Sequence, residues 1–143
     1  MIVLNPYLNF NGSTEKAFYF YKSVFGGEFS SLQRFKDVPS SEEPMSKNEA
    51  DRIIHIVLPI GKGNLLMGSD ISEGIGMKLT TGNNVYISLH PDTKKEAERL
   101  FNELSDGGKI EMKFQKMFWG AYYGSFADKF GIRWMINYEE KKK

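Results

Sequence analysis

The stretch Trp119-Gly-Ala-Tyr-Tyr-Gly-Ser-Phe-Ala-Asp-Lys-Phe-Gly-Ile-Arg-Trp-Met-Ile-Asn137 reads as strand, tight turn, strand. Ala121 to Ala127 is rich in small and aromatic residues, and Ile132 to Tyr138 in β-branched and aromatic ones, both suited to a pleated, half-buried surface. Asp128-Lys129-Phe130-Gly131 has turn chemistry. An Asp carboxylate accepts from the backbone two residues on, and Gly takes positive φ without a steric cost. Side chains alternate along a strand. Tyr123, Ser125, Arg133, Met135 and Asn137 therefore share one parity, and Ile132, Trp134 and Ile136 the other. The second, apolar set belongs under a helix, which makes Trp134 a core residue.

Working outward, Asn84–His90 alternates as a strand, with Val85, Ile87 and Leu89 opposite Asn84, Tyr86, Ser88 and His90. Asp92 is the expected N-cap of a helix over 93–105, whose apolar stripe is Ala97, Leu100, Phe101 and Leu104. Gly107-Gly108 ends it, and Ile110–Phe114 is a strand. Residues 83–139 thus read βαβββ.

Residues 1–70 read the same way. Ile2–Phe10 is a strand, Ser13 an N-cap, and 14–24 a helix carrying Ala17, Phe18, Phe20, Tyr21 and Val24. Strands follow over 28–35, 52–60 and 64–69, the last two joined by Gly61-Lys62-Gly63. Lys36–Ala50 has no apolar period and reads as a long surface loop, open to roles as a lid or a dimer-contact arm. Residues 70–82 are a glycine-rich connector. Asn5–Phe10 aligns without a gap on Asn84–Leu89, since 84 − 5 and 89 − 10 both give 79. Gly26-Gly27 aligns with Gly107-Gly108, and Gly63 with Gly131. Together these matches point to an internal duplication within a single domain, 1–143.

With 19 basic against 18 acidic residues, the chain lacks the field of a nucleic-acid or membrane-surface binder. Glu139-Glu-Lys-Lys-Lys143 reads as a solvated tail. Cys is absent, which excludes disulfides, thiolate metal sites and a Cys nucleophile, and suits a reducing cytoplasm. No apolar run approaches the ~20 residues of a membrane span, and no signal peptide is visible. The chain shows no Ser-His-Asp order, P-loop or G-x-G-x-x-G.

Several segments carry a resemblance: Pro6-Tyr7-Leu8-Asn9-Phe10-Asn11-Gly12, Phe20-Tyr21-Lys22-Ser23-Val24-Phe25-Gly26-Gly27-Glu28, Ile54-His55-Ile56, Leu66-Met67-Gly68-Ser69-Asp70 and Trp119–Trp134. In order and number they resemble the vicinal-oxygen-chelate superfamily of glyoxalases, bleomycin-resistance proteins and dioxygenases, within it the PhnB-like branch. The resemblance implies an α+β fold. Two βαβββ modules would form a curled mixed β-sheet cup with helices outside, in a protein commonly homodimeric. In metal-using members each module gives one ligand from its first strand and one from its last. Those positions map to Asn5 (register alternatives Pro6 and Tyr7), Asn84, Met67 and Met135. Amides and thioethers suit a hard divalent ion poorly, so no metal and no cofactor is expected. Relatives in this branch carry a methyltransferase label, but neither a doubly wound fold nor a glycine-rich turn for S-adenosylmethionine is legible here.

The parity opposite the helices offers a cup lining of Asn5, Tyr7, His55, Met67, Asn84, Tyr86, Tyr123, Arg133 and Met135, with Trp119 at its mouth or in plain packing. His55 has three readings: a buried neutral histidine, a ligand-contacting or acid-base group, or a metal ligand. Arg133 is either a packed surface cation or an anchor for an anion. Asn5 and Asn84 either donate to a ligand oxygen or satisfy neighbouring backbone. Two functions follow. One is small-molecule binding in a metal-free cup. The other is a lyase- or dioxygenase-type enzyme using His55 and a Tyr, or a displaced metal site.

Overall fold

The computed structural model describes residues 1–38, 46–72 and 76–140. The chain folds as two compact units, Met1–Thr80 and Thr81–Lys143. The first contains β1 (Tyr7–Phe10), α1 (Thr14–Phe25), β2 (Ser31–Arg34), α2 (Lys47–Asp51), β3 (Ile53–Ile60) and β4 (Asn64–Asp70). Its sheet runs β1-β4-β3-β2, with β1 parallel to β4 and the other pairs antiparallel. The second contains β5 (Ile87–Leu89), α3 (Lys94–Ser105), β6 (Lys109–Lys116), β7 (Ala121–Ala127) and β8 (Arg133–Glu139). Its sheet repeats the plan as β5-β8-β7-β6, again with one parallel pair. Both sheets are open, with two edges each.

In the first unit α1 buries Ala17, Phe18, Tyr21 and Val24 against Leu8, Phe10, Ile56, Leu58 and Leu66. Each buried large side chain contributes roughly 1.5–3 kcal/mol. Gly68 faces the helix, where a Cβ would lie 2.7 Å from Phe18 Cε1 and 2.9 Å from the Leu8 carbonyl. In the second unit α3 buries Ala97, Leu100, Phe101 and Leu104 on Trp134, Phe126 and Ile136. There Gly124 makes room for Phe101, 2.7 Å from where its Cβ would stand.

Several boundaries differ from the sequence reading. The first strand starts at Tyr7 rather than Ile2. Asn5 Oδ1 accepts from the Leu65 amide at 3.2 Å, so a side chain ends the ladder, and Ile2 is 93% exposed. The fifth strand covers only Ile87–Leu89, because β8 offers partners only from Trp134 to Ile136. The expected loop Lys36–Ala50 holds the end of a 3-10 turn, Phe35–Asp37, and most of α2; its residues 39–45 lie outside those described. Ser46 caps α2 by accepting from the Glu49 amide.

The helix caps differ too. Ser13 makes no side-chain cap bond. Buried Asp70 takes that place: its Oδ1 accepts from the Gly12 amide (2.8 Å), the Thr14 amide (3.2 Å) and the Thr14 hydroxyl (2.7 Å), and its Oδ2 from the Ile53 amide (2.9 Å). A carboxylate here satisfies orphan donors and favours the positive end of the helix dipole. At α3 the cap is Thr93, one residue beyond the expected Asp92; its hydroxyl accepts from the Glu96 amide.

Candidate functional site

The helix-facing set of each sheet fixes the opposite face by parity. On the first sheet that face carries Tyr7, His55 and Met67, with Tyr7 and Met67 paired across β1 and β4 and Met67 and Val57 across β4 and β3. Tyr7 and His55 reach over the intervening strand. Their rings stack at 5.8 Å between centroids with an interplanar angle of 19°, and the Tyr7 hydroxyl lies 3.2 Å from His55 Nδ1. With the proton on Nε2, the phenol donates to Nδ1; in the other tautomer Nδ1–H donates to the phenol oxygen. Tyr7 is exposed and His55 half-buried, so the pair meets solvent on a face that also carries Met67, Val57, Gln33 and the hydrogen-bonded Asn9 and Ser69. Asn5 Oδ1 accepts from the Leu65 amide.

On the second sheet the same face carries Tyr123, Arg133 and Met135, with Tyr86 just ahead of β5. Arg133 donates from Nε to the Gly82 carbonyl at 3.1 Å, and its Nη1 lies 3.1 Å from Glu111 Oε1. The Tyr86 hydroxyl donates to the same Glu111 oxygen at 2.9 Å. That hydrogen bond, with burial and the Glu111 charge, holds the Tyr86 phenol above its ordinary pKa of 10.0. Glu111 escaped the sequence reading because β6 changes register between Ile110 and Met112, which period-2 counting does not foresee. Trp119 is exposed in the β6–β7 turn, 6.4 Å from the Tyr123 ring and 4.9 Å from Phe118. Asn84 is exposed ahead of β5. Asp128 does more than turn the chain. Its Oδ1 accepts from the Phe130 and Ile132 amides, and its Oδ2 from the Trp134 indole at 2.8 Å.

The registers also decide which residues stand beside the two methionines. Met67 pairs with Tyr7, and Met135 with Ser88. The offset between units is therefore 88 − 7 = 81 at the first strand, not the 79 of the gap-free alignment. Neither a phenol beside a thioether in the first unit nor a hydroxyl beside a thioether in the second suits a hard divalent ion. Among the described residues, no three of His, Asp and Glu stand together in a metal-ligating group.

Two open mixed sheets, each with a helix on one face and polar and aromatic groups on the other, define the class: the glyoxalase/bleomycin-resistance/dioxygenase fold. Residues 3–137 match the family described as 3-demethylubiquinone-9 3-methyltransferase, and the chain belongs to that family. It is 38% identical to protein PA1353 from Pseudomonas aeruginosa, whose crystal structure covers 99% of this chain and 100% of its own at a TM-score of 0.85. Protein YjdN of Escherichia coli strain K12 is 31% identical over 94% of this chain and 93% of its own. A PhnB protein from Bacillus cereus, also described as a putative 3-demethylubiquinone-9 3-methyltransferase, shares the fold at 23% identity; the match covers 94% of this chain and 98% of that one, with a TM-score of 0.75. No helix among the described residues is long and apolar enough to cross a membrane.

Proposed function

We propose that this PhnB-like protein binds a small organic molecule on the helix-free face of its sheets, without a metal, as a cytoplasmic homodimer. The observation that carries the reading is the stacked, hydrogen-bonded Tyr7–His55 pair beside Met67. A ring face, a soft thioether and one orienting polar pair are what a small-molecule site combines. Exposed Ile2, Leu4 and Phe118 on the single chain support a second copy, which sedimentation would report as twice the chain mass. Each sheet has a single parallel pair, unlike the doubly wound sheet expected for S-adenosylmethionine, so the methyl transfer in the family's description forms no part of the proposal.

A thermal-shift screen over aromatic drugs, thiol conjugates and metabolites tests the binding. A hit is expected to weaken at least about tenfold in Tyr7→Phe or His55→Ala, the loss of one good orienting contact. No hit, or a hit indifferent to both variants, overturns it. The same hydrogen bond favours a second reading, in which Tyr7 and His55 relay a proton in a lyase-type step. His55→Ala then abolishes turnover of a bound substrate while the melting temperature holds; unfolding of the variant would show a structural histidine instead.

A further inference from the structure

We infer that Glu111 occupies, from within the chain, an anion site built by Arg133 and Tyr86 of the second unit, and that the ligand of this site is a carboxylate or similar anion that displaces it. This rests on the reading above, of a small molecule bound on the helix-free faces, and names a ligand class for the second unit's face. Three observations carry it. First, two donors from separate segments, β8 and the residue just ahead of β5, converge on one oxygen: Arg133 Nη1 at 3.1 Å and the Tyr86 hydroxyl at 2.9 Å both meet Glu111 Oε1. Second, Arg133 is held in place by its Nε bond to the Gly82 carbonyl. The guanidinium is therefore oriented independently of Glu111. Third, Glu111 comes from the outer strand β6, two strands away from β8, within the register shift between Ile110 and Met112. A bulge re-aims a side chain. Here it brings a carboxylate over β7 to Arg133.

The side chains of Arg133 and Glu111 are 25% and 28% exposed, so the pair is reachable from solvent. A half-exposed ion pair of this kind is weak. A ligand carboxylate accepting from the same guanidinium and phenol replaces the interaction nearly in kind, and Glu111 swings out to water. Charge-assisted bonds from Arg favour a planar anion over a neutral amide.

The test is side-chain NMR of the full chain, titrated with 1-naphthoate and with neutral 1-naphthamide. Naphthoate is expected to move the Arg133 guanidinium resonances. Glu111→Gln keeps the acceptor oxygen but removes the charge, and should tighten naphthoate about fivefold, the upper end for a surface pair. Naphthamide should gain nothing, and Arg133→Gln should abolish the naphthoate shifts. Equal affinities in wild type and Glu111→Gln overturn the inference, as does equal gain for naphthamide. Shifts at Tyr7 and His55 with none at Arg133 overturn it while leaving the binding reading intact. No shift at any of these residues overturns the anion site for this probe class as well.

Discussion

The first unit closes the start of its helix with Asp70, 56 residues downstream of Thr14; the second closes its own with Thr93, the residue before the helix. The same contrast recurs in the ion pairs. Glu15 on α1 is held by both terminal nitrogens of Arg34 on β2, at 3.0 and 2.6 Å. On α3, Arg99 binds Glu96 and Glu103 of its own helix. The glycines differ in another way. Ile56 pairs with Gly68 in one sheet and Gly124 with Ile136 in the other, so the glycine sits on opposite partners of corresponding pairs. The helix of the first unit is thus tied by long-range contacts and that of the second by contacts local to its own segment. Losing a long-range lock should loosen a whole unit, and losing a local one only an end.

Asp70→Ala breaks the comparison most severely. It strands the Gly12, Thr14 and Ile53 amides and the Thr14 hydroxyl, and should cost about 3–5 kcal/mol in urea unfolding. Asp128→Ala strands two turn amides and the Trp134 indole, where water reaches the turn more easily, so about 2–3 kcal/mol is expected. Equal losses would erase the distinction between the units.

Next in size are the glycines. Gly124→Ala drives a methyl against the Phe114 backbone, 2.9 Å from its Cα, as well as the Phe101 ring. About 1–3 kcal/mol is expected, with no recovery on trimming Phe101 to Leu. Gly68→Ala meets the Phe18 ring at 2.7 Å and the Leu8 carbonyl at 2.9 Å. Phe18→Leu should recover part of that loss in a double-mutant cycle.

The caps come third. Thr93→Ala should cost about 1 kcal/mol and Ser13→Ala close to nothing, since only Thr93 makes a side-chain cap bond. The smallest effect is electrostatic. The Arg34 hydrogen bond holds the Glu15 carboxyl below its ordinary 4.5, against a smaller opposing effect of burial. A depressed carboxylate contributes its stability above the unfolded value and loses it as pH falls through the folded one. Glu15→Gln should therefore lower stability by a few tenths of a kcal/mol at about pH 7, discounted for exposure, and the difference should shrink as pH falls below the unfolded 4.5 and vanish once it passes the depressed folded value. A difference that persists in acid would mean packing rather than charge.

Much of the fold was legible because its signals are periodic. The stripe Ala97, Leu100, Phe101, Leu104 gave α3, and strand parity gave the Trp134 core and the Asp128 turn. Each depends on neighbours a few residues apart, and the structure buries Trp134 and bonds the Phe130 amide to Asp128 as the turn chemistry required. The site was less legible. The stacking of Tyr7 on His55 joins residues 48 apart, and Glu111 reaches Arg133 only through a break in register. Beside Met67 the pairing selects Tyr7 from the register alternatives Asn5, Pro6 and Tyr7, and beside Met135 it places Ser88 rather than Asn84, because strand pairing, not alignment, sets which residues are adjacent.

By itself, the sequence determined the elements, their twofold order, the face each side chain takes and the family that pattern belongs to, because helix and strand periods and turn chemistry are local. Only the tertiary structure decided that Asp70 caps a distant helix, that Tyr7 and Ser88 stand beside the two methionines, and that Glu111 fills the hand of Arg133. Those contacts follow from register between strands far apart in the chain, where one residue of slip exchanges one face for the other.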